Sequence, residues 1–314
     1  DARGVARPKE LITIEEARTN RVSLDLSVPV PTPTFLGPRT YERWPLADLV
    51  DRIDWTPFFR TWELAGFYPD ILQDPVVGET ARTLFADANS LLDRIVREEL
   101  LTAKASVGFW PAVSRDEEIV LYTAPDRADV AAVLHMPRQR MPKRAGNPNR
   151  SLADYVAPHD SGVLDYVGAF AVTTGHGLPE LAAQFAAQHD DYSAIMAQAL
   201  ADRLAEAFAE RLHEVVRKEL WGYAPAESLS NAELIREGYQ GIRPAPGYPA
   251  CPVHAQKEQL FALLEAPQRA GMTLTESYAM LPAASVSGWY FWRPEATYFG
   301  VGELGESPAA AQRR

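Results

Sequence analysis

Residues 105–123 read ASVGFWPAVSRDEEIVLYT, two apolar runs separated by a short polar segment. The runs at 105–113 and 119–123 are rich in aromatic and β-branched residues, which favour strands. The polar residues at 114–117 have the composition of a turn. The segment is therefore predicted to form an antiparallel hairpin.

Four other segments are predicted to be strands. Residues 166–174 are apolar and rich in small and β-branched side chains, as a buried strand would be. Residues 130–136 lie directly before Pro137, which would end a strand because proline has no amide donor. Residues 286–292 and 296–301 are predicted as the last two strands.

Helical periodicity is clearest in two long segments. Residues 76–101 carry apolar side chains three or four positions apart, which is the helical period. Residues 179–221 contain the longest apolar stripe, with a break allowed before Tyr192 and an end at Gly222. The shorter predicted helices span residues 45–53 and 256–264.

The order of these elements predicts an α+β fold. Strands and helices do not alternate as βαβ units, so we expect a single domain with a mainly antiparallel twisted sheet flanked by long helices. This domain is predicted at residues 39–305, followed by a flexible tail at 306–314. Residues 1–38 are predicted to be an arm with a short helix, because residues 13–16 have the spacing of a capping box. A charged start without a core pattern leads us to expect a fragment of a longer polypeptide.

Composition excludes several classes of function. The chain has 314 residues, 46% of them hydrophobic, and a net charge of −11. Nucleic-acid binding and attachment to an anionic membrane both need a basic face, so we expect neither. The single cysteine, Cys251, excludes an internal disulfide and a cysteine-based zinc site. With no apolar run of membrane-spanning length and no signal-peptide pattern, a cytoplasmic protein is expected.

Residues 243–252, RPAPGYPACP, contain four prolines and cannot continue a helix or a central strand. They predict a stiff loop with three groups suited to a ligand. Gly247 permits close backbone approach, Tyr248 offers an aromatic face, and the Arg243 guanidinium matches a carboxylate. The segment alone is equally consistent with a rigid connector that carries a surface arginine.

Four acidic residues are candidates for a cationic ligand. Asp202 and Glu206 lie one turn apart on the long predicted helix, although such acids often form only a solvated face. Glu237 lies six residues before Arg243, where an ordinary helix-end acid would also fit. Asp54 begins Asp-Trp-Thr-Pro, the arrangement of a helix cap.

Two other patterns do not indicate a functional site. Residues 300–305 match the dinucleotide fingerprint G-x-G-x-x-G, but no helix and second strand can follow in the nine remaining residues. The adjacent His189, Asp190 and Asp191 diverge by about 100° per residue on a helix, so they cannot jointly bind a metal. They are expected to form a polar face or a cap between two helices, and no metal site is predicted.

Several of these segments together resemble a known family. With the proline loop, they are DWTPFF at 54–59, QHDDY at 188–192, ADRLAEAF at 201–208 and ASVSGWYF at 284–291. From about residue 8 to about residue 302 the chain resembles the C-terminal activation domain of cobalamin-dependent methionine synthase. The resemblance implies a fold, a ligand and partners.

The implied function is the repair of an inactivated methionine synthase. A domain of this family binds S-adenosylmethionine and positions its methyl group for reductive methylation of cob(II)alamin. The cobalamin is held by an upstream domain of the same polypeptide, to which residues 1–38 would connect, and a flavodoxin-like protein supplies the electron. The whole enzyme makes methionine from homocysteine and methyltetrahydrofolate as a methyltransferase. The fragment is expected to be a monomer and to be inactive without the cobalamin domain.

The resemblance also assigns roles to residues, none of them a catalytic acid, base or nucleophile. Arg243 would hold the carboxylate of S-adenosylmethionine, Asp54 its ammonium group, and Glu206 and Glu237 its cationic or hydroxylated middle. Asp202 would lie near the histidine that is the lower cobalamin ligand. The other expected contacts are Ala245, Gly247 and Tyr248 on the face that meets the corrin, and Tyr298 and Phe299 beside the adenine.

Two departures from the family and two alternatives qualify this assignment. The family commonly has two tyrosines where this chain has Tyr298 and Phe299. We also expect any contribution of the family's usual C-terminal extension to be lost or replaced. A docking module that has lost its ligand site would bind no S-adenosylmethionine. A free-standing small-molecule methyltransferase would turn over without any corrinoid.

Overall fold

The computed structural model describes residues 11–302, and within them a twisted antiparallel sheet forms the centre of the fold. Its strand order is β4-β3-β2-β5-β8, and β1 pairs with the first half of β2 on the same edge as β3. A separate two-stranded sheet is formed by β6 and β7. The strands are β1 Gly37–Trp44, β2 Thr102–Arg115, β3 Glu118–Tyr122, β4 Val130–His135, β5 Asp165–His176, β6 Thr273–Leu274, β7 Met280–Leu281 and β8 Ser285–Tyr290.

Helices cover both faces of the central sheet. The longest, α6, continues from Val215 into a π-helical turn at Val216–Leu220. The α-helices are α1 Ile14–Thr19, α2 Ala47–Val50, α3 Thr56–Thr61, α4 Gly78–Arg97, α5 Leu178–Ala187, α6 Asp191–Val215, α7 Asn231–Ile235, α8 Gln256–Leu264 and α9 Ala266–Ala270. Short 3-10 turns lie at Asp70–Gln73, Leu152–Tyr155 and His159–Ser161.

Alternation along the central strands divides the core into two halves. Val107 and Phe109 of β2 pack with helices α4, α5 and α6, whereas Trp110 and Ala112 pack with α8 and α9. Successive side chains of a strand point to opposite faces, so one strand serves both halves. The predicted α+β class with a mainly antiparallel sheet is confirmed.

Most predicted elements are present with shifted ends. The hairpin is confirmed as β2 and β3, which pair from Ala112 with Leu121 to Arg115 with Glu118. The predicted break in the long helix lies between α5 and α6, where the Asp190 side chain accepts the backbone N–H of Ser193 and caps α6. The predicted helix at 45–53 is reduced to the four residues of α2.

The predicted strand at 296–301 is wrong, and the strand at 286–292 ends at Tyr290. The edge of β8 is already occupied, because Trp289 donates its backbone N–H to Pro244 O at 2.9 Å. Beyond the end of β8, Phe291 pairs with Ile242 in an isolated bridge. Residues 296–301 therefore have no free edge of β8 with which to pair.

The arm packs against the domain. The capping box is confirmed, since Thr13 N donates to the Glu16 carboxylate at 2.8 Å and Thr13 Oγ1 accepts from Glu16 N at 3.2 Å. Further along, Trp221 Nε1 donates to Pro31 O at 3.0 Å. The arm boundary at residue 38 stays a prediction, although β1 already begins at Gly37. The tail at 306–314 and the last part of the 300–305 glycine pattern lie outside the described residues.

The described part of the chain shows neither a membrane-spanning helix nor a cluster of metal-binding side chains. None of its helices combines the length and apolar character needed to cross a membrane. Between residues 11 and 302, no group of three or more His, Cys, Asp or Glu side chains is placed to hold a metal ion.

Candidate functional site

A cavity of about 890 Å³ lies where the proline segment passes β8 and the end of the described chain. Its wall combines carboxylates, one guanidinium and aromatic rings with the backbone of residues 244–250. The residues that line it are Phe170, Glu206, Glu237, Arg243, Pro244, Ala245, Pro246, Gly247, Tyr248, Pro249, Ala250, His254, Lys257, Met280, Ser285, Val286, Ser287, Tyr298 and Phe299.

The structure brings all predicted site residues except Asp54 and Asp202 to this cavity. Their contacts with a ligand stay predictions. Sequence reasoning missed other lining residues, chiefly His254 just before α8, Lys257 in its first turn, and Met280 and Ser287 from strands β7 and β8. No sequence motif marks these residues, because only the tertiary structure brings them beside the proline segment.

Backbone hydrogen bonds hold the proline segment as a fixed rim. Besides the contact of Pro244 O with β8, Gly247 N donates to Cys251 O at 2.7 Å. Gly247 has φ of +94°, and a Cβ atom there would overlap the imidazole ring of His254. Glycine is thus required both for the backbone conformation and for the close approach of His254.

Arg243 begins this rim and lies in a dense set of hydrogen bonds. Its Nη2 donates to Glu210 Oε2 at 2.7 Å, and its Nη1 to Tyr239 Oη at 2.8 Å and His213 Nδ1 at 3.1 Å. Its backbone N–H donates to Tyr298 Oη at 2.9 Å. The guanidinium is therefore held from the protein side while 21% of the side chain remains exposed.

Two acids face the same cavity from different elements. Glu206 is exposed on α6, and Glu237 follows α7 with φ of +57°. Loss of hydration raises the pKa of Glu237 above its usual value, an effect that Arg243 opposes and Glu210 adds to. Glu237 thus retains a proton to a higher pH than an ordinary glutamate.

Asp54 and Asp202 lie outside the cavity wall. Asp54 accepts the backbone N–H of Thr56, the first residue of α3, at 3.0 Å, but the N-cap of α3 is Trp55, which makes no side-chain capping bond. The preceding Ile53 O accepts a hydrogen bond from Asn231 Nδ2 at 3.4 Å, which links this segment to α7. On α6, Asp202 accepts from Gln198 at 3.2 Å, and burial raises its pKa.

The aromatic residues after β8 have separate functions. Tyr298 contributes its hydroxyl to the Arg243 backbone and lies 3.3 Å from the Tyr239 hydroxyl. Phe299 makes an edge contact with Tyr155, at 6.3 Å between ring centroids. At position 298 the hydroxyl makes hydrogen bonds, whereas at position 299 the ring packs against the core.

Comparison with known proteins agrees with the fold. Residues 45–313 match the family model described as vitamin B12 dependent methionine synthase, activation domain. A crystal structure of the MetH reactivation domain bound to AdoHcy superposes with a TM-score of 0.90 at 52% sequence identity, covering 94% of this chain and 90% of that one. The resemblance drawn from the sequence is confirmed. The chain belongs to the family of activation domains of vitamin B12 dependent methionine synthase, a methyltransferase.

Proposed function

We propose that this chain binds S-adenosylmethionine in the 890 Å³ cavity and presents its methyl group to cobalamin held by an upstream domain of the same polypeptide. The observation that carries the proposal is the cavity itself, which joins a guanidinium to carboxylates in a domain whose relative was crystallised with AdoHcy, S-adenosylhomocysteine. A zwitterionic ligand with a sulfonium needs both kinds of charge.

The residues of this chain would bind and orient the ligand. Arg243 holds the carboxylate, Asp54 the ammonium group, and Glu206 and Glu237 the cationic or hydroxylated middle. Asp54 can act only from the edge of the site, since it lies outside the cavity wall. Fixed alignment of reacting groups lowers a barrier by several kcal/mol without any protein acid or base.

The rim and the last described residues would enclose the rest of the ligand. Ala245, Gly247 and Tyr248 form the face toward the corrin, and 64% of Tyr248 is exposed there, as a docking surface requires. The backbone at Tyr298 and Phe299 would border the adenine. Asp202, one turn before Glu206 on α6, would approach the lower cobalamin ligand of the upstream domain.

Cobalamin bound to the upstream domain would supply the reducible metal centre for the methyl group. The residues of this chain would contact that domain and would not hold the cobalamin themselves. We further propose a flavodoxin-like electron donor, a monomeric chain, a cytoplasmic location and no activity of the fragment without the cobalamin domain. The single, buried cysteine is compatible with a reducing compartment.

Direct binding tests the proposal. Isothermal titration calorimetry of the chain with AdoHcy is expected to give saturable binding to one site, and S-adenosylmethionine should compete for it. A docking module without a ligand site would bind neither compound. A free-standing methyltransferase would consume S-adenosylmethionine without corrinoid, and we expect no such turnover.

The pH dependence of binding tests the role of Glu237. Its carboxylate attracts a cation only when ionised, so affinity for S-adenosylmethionine should be constant above the Glu237 pKa and fall below it. Because that pKa is raised, the loss should begin at a higher pH than for a free glutamate, whose pKa is about 4.3. Glu237→Gln should weaken binding at pH 7 by about 0.2–1 kcal/mol, the range for an exposed pair, and should flatten this part of the profile.

The matched control is Glu79→Gln, an exposed acid on α4 outside the cavity wall, which should keep the wild-type profile. An unchanged pH profile in the Glu237→Gln variant would remove Glu237 from the site.

A further inference from the structure

A buried polar cluster lies directly behind Arg243, on the side away from the cavity wall. Glu210 and His213 are three residues apart on α6, so their side chains share one face of the helix. Both are buried, with 7% and 0% of their surface exposed, and Tyr239 completes the cluster from the segment after α7. Protein interiors rarely bury an acid and a histidine together unless both have partners.

The hydrogen bonds of this cluster account for three of the five N–H donors of Arg243. They go to Glu210, His213 and Tyr239, as described above. Within residues 11–302, the Nε hydrogen and the second Nη2 hydrogen have no partner. Nε and Nη2 share one edge of the guanidinium, and an edge of this kind can bind both oxygens of a carboxylate.

The protonation state of His213 follows from its partners. A guanidinium can only donate, so Nδ1 must be the unprotonated nitrogen that accepts from Arg243. Nε2 then carries the proton and donates to Tyr223 Oη at 3.3 Å. Burial, together with the charges of Arg217 and Arg243, lowers the pKa of His213 and keeps this neutral form.

Packing fixes the imidazole ring in this orientation. It stacks on Tyr290 with 5.0 Å between centroids and meets Tyr239 edge to face at 4.9 Å. The Nδ1 lone pair is therefore presented at one position, which determines where Nη1 of Arg243 must lie.

Glu210 supplies the charge of the cluster. Its Oε2 bonds Arg243, and its Oε1 is buried without a hydrogen-bond partner among the described residues. A buried carboxylate with one cationic partner strongly disfavours any rotation of Arg243 away from it, because that rotation would leave the charge uncompensated.

We propose that Glu210 and His213 are positioning residues: they fix the Arg243 guanidinium so that its free edge meets the carboxylate of the ligand. The inference rests on the proposed function, in which Arg243 binds that carboxylate. Neither residue lines the cavity, so both act through Arg243.

Two ligands distinguish this role from a purely structural one. AdoHcy has the amino-acid carboxylate, whereas 5′-methylthioadenosine keeps the adenosine and sulfur but has no carboxylate for Arg243. A misplaced guanidinium should weaken the first ligand alone. Collapse of the site should weaken both.

Three variants of the full chain, titrated with both ligands, test the inference, and a fourth serves as the control. Glu210→Gln keeps size and hydrogen-bonding atoms, and we expect roughly tenfold weaker AdoHcy binding, the loss of one charge-assisted contact, with 5′-methylthioadenosine within about twofold of wild type. His213→Phe keeps a stacked ring without an acceptor and should behave alike. His213→Asn offers an acceptor near the position of Nδ1 and should restore most of the affinity.

The matched control is Glu214→Gln on the same helix, whose carboxylate is buried to a similar extent but pairs with Arg52 and Arg211. It should leave AdoHcy binding unchanged. Thermal melting confirms folding of each variant, and Glu210→Gln carries the test if His213→Phe does not fold.

Either of two results would overturn the inference: wild-type AdoHcy affinity in Glu210→Gln, or equal losses for both ligands. Both leave the proposed function standing, provided that Arg243→Ala still loses AdoHcy. Failure of the unmodified chain to bind AdoHcy would instead refute the proposed function and this inference together.

Discussion

Arg243→Ala is expected to weaken binding of S-adenosylmethionine and AdoHcy by about 1.5–3 kcal/mol, roughly 10- to 150-fold in Kd. Among the described residues that line the cavity, Arg243 carries the only guanidinium. The other basic residues of the wall are His254 and Lys257, and Lys257 donates to Tyr278 O at 3.0 Å. Truncation removes both donors that a carboxylate would accept. Calorimetry at pH 7 measures the loss.

The control for this prediction is Arg236→Ala, which removes an exposed arginine at the end of α7 whose Nε donates to Ala232 O. It should bind AdoHcy as the wild type does. Arg243→Ala should also keep its affinity for 5′-methylthioadenosine, since that ligand lacks the carboxylate. Unchanged AdoHcy affinity in the Arg243→Ala chain would remove the assignment.

The rim could be predicted from the sequence because its chemistry is local. Proline fixes φ and removes an amide donor wherever it stands, so residues 243–252 had to form a stiff loop beside whatever Arg243 binds. The same holds for Thr13 and Asp190, whose capping depends on neighbours three residues away.

The layer behind the rim could not be predicted in this way. His213 is separated from Arg243 by thirty residues, and a lone histidine on an apolar helix has no pattern that names its partner. The charged residues of the core mislead in the same manner. Arg138 lies in a segment, residues 137–150, whose composition indicates a basic loop, yet its side chain is fully buried between Glu117 and Asp154.

The wrong strand at 296–301 has a related cause. A segment with strand-like sequence forms a strand only if the edge of a neighbouring strand is free to pair with it. The sequence alone does not show which edges are already paired. Here Pro244 pairs with β8, and Ile242 pairs with Phe291 just beyond it. The Tyr298 hydroxyl accepts a hydrogen bond from the Arg243 backbone, and its segment does not join the sheet. The pairing of residues 242–244 with this edge therefore both excludes the predicted strand and positions the proline segment at the cavity.

The anchor of this region is the pair of Asp165 and Arg293, both fully buried. Asp165 Oδ2 accepts from Arg293 Nη2 at 2.8 Å, and Oδ1 accepts from Trp292 Nε1 at 2.8 Å. These bonds tie the start of β5 to the chain just after β8. The adjoining Phe291 pairs with Ile242, one residue before Arg243, so the pair also supports the rim.

Arg293→Ala should reduce the free energy of unfolding by about 3–5 kcal/mol, because it leaves the Asp165 carboxylate buried without a countercharge. Urea denaturation followed by tryptophan fluorescence measures the change. Arg269→Ala is the contrast: its partner Glu265 is exposed, so the expected loss is below about 1 kcal/mol. Equal stability losses in the two variants would show that the buried pair contributes no more than a surface one, and the rim would then need another anchor.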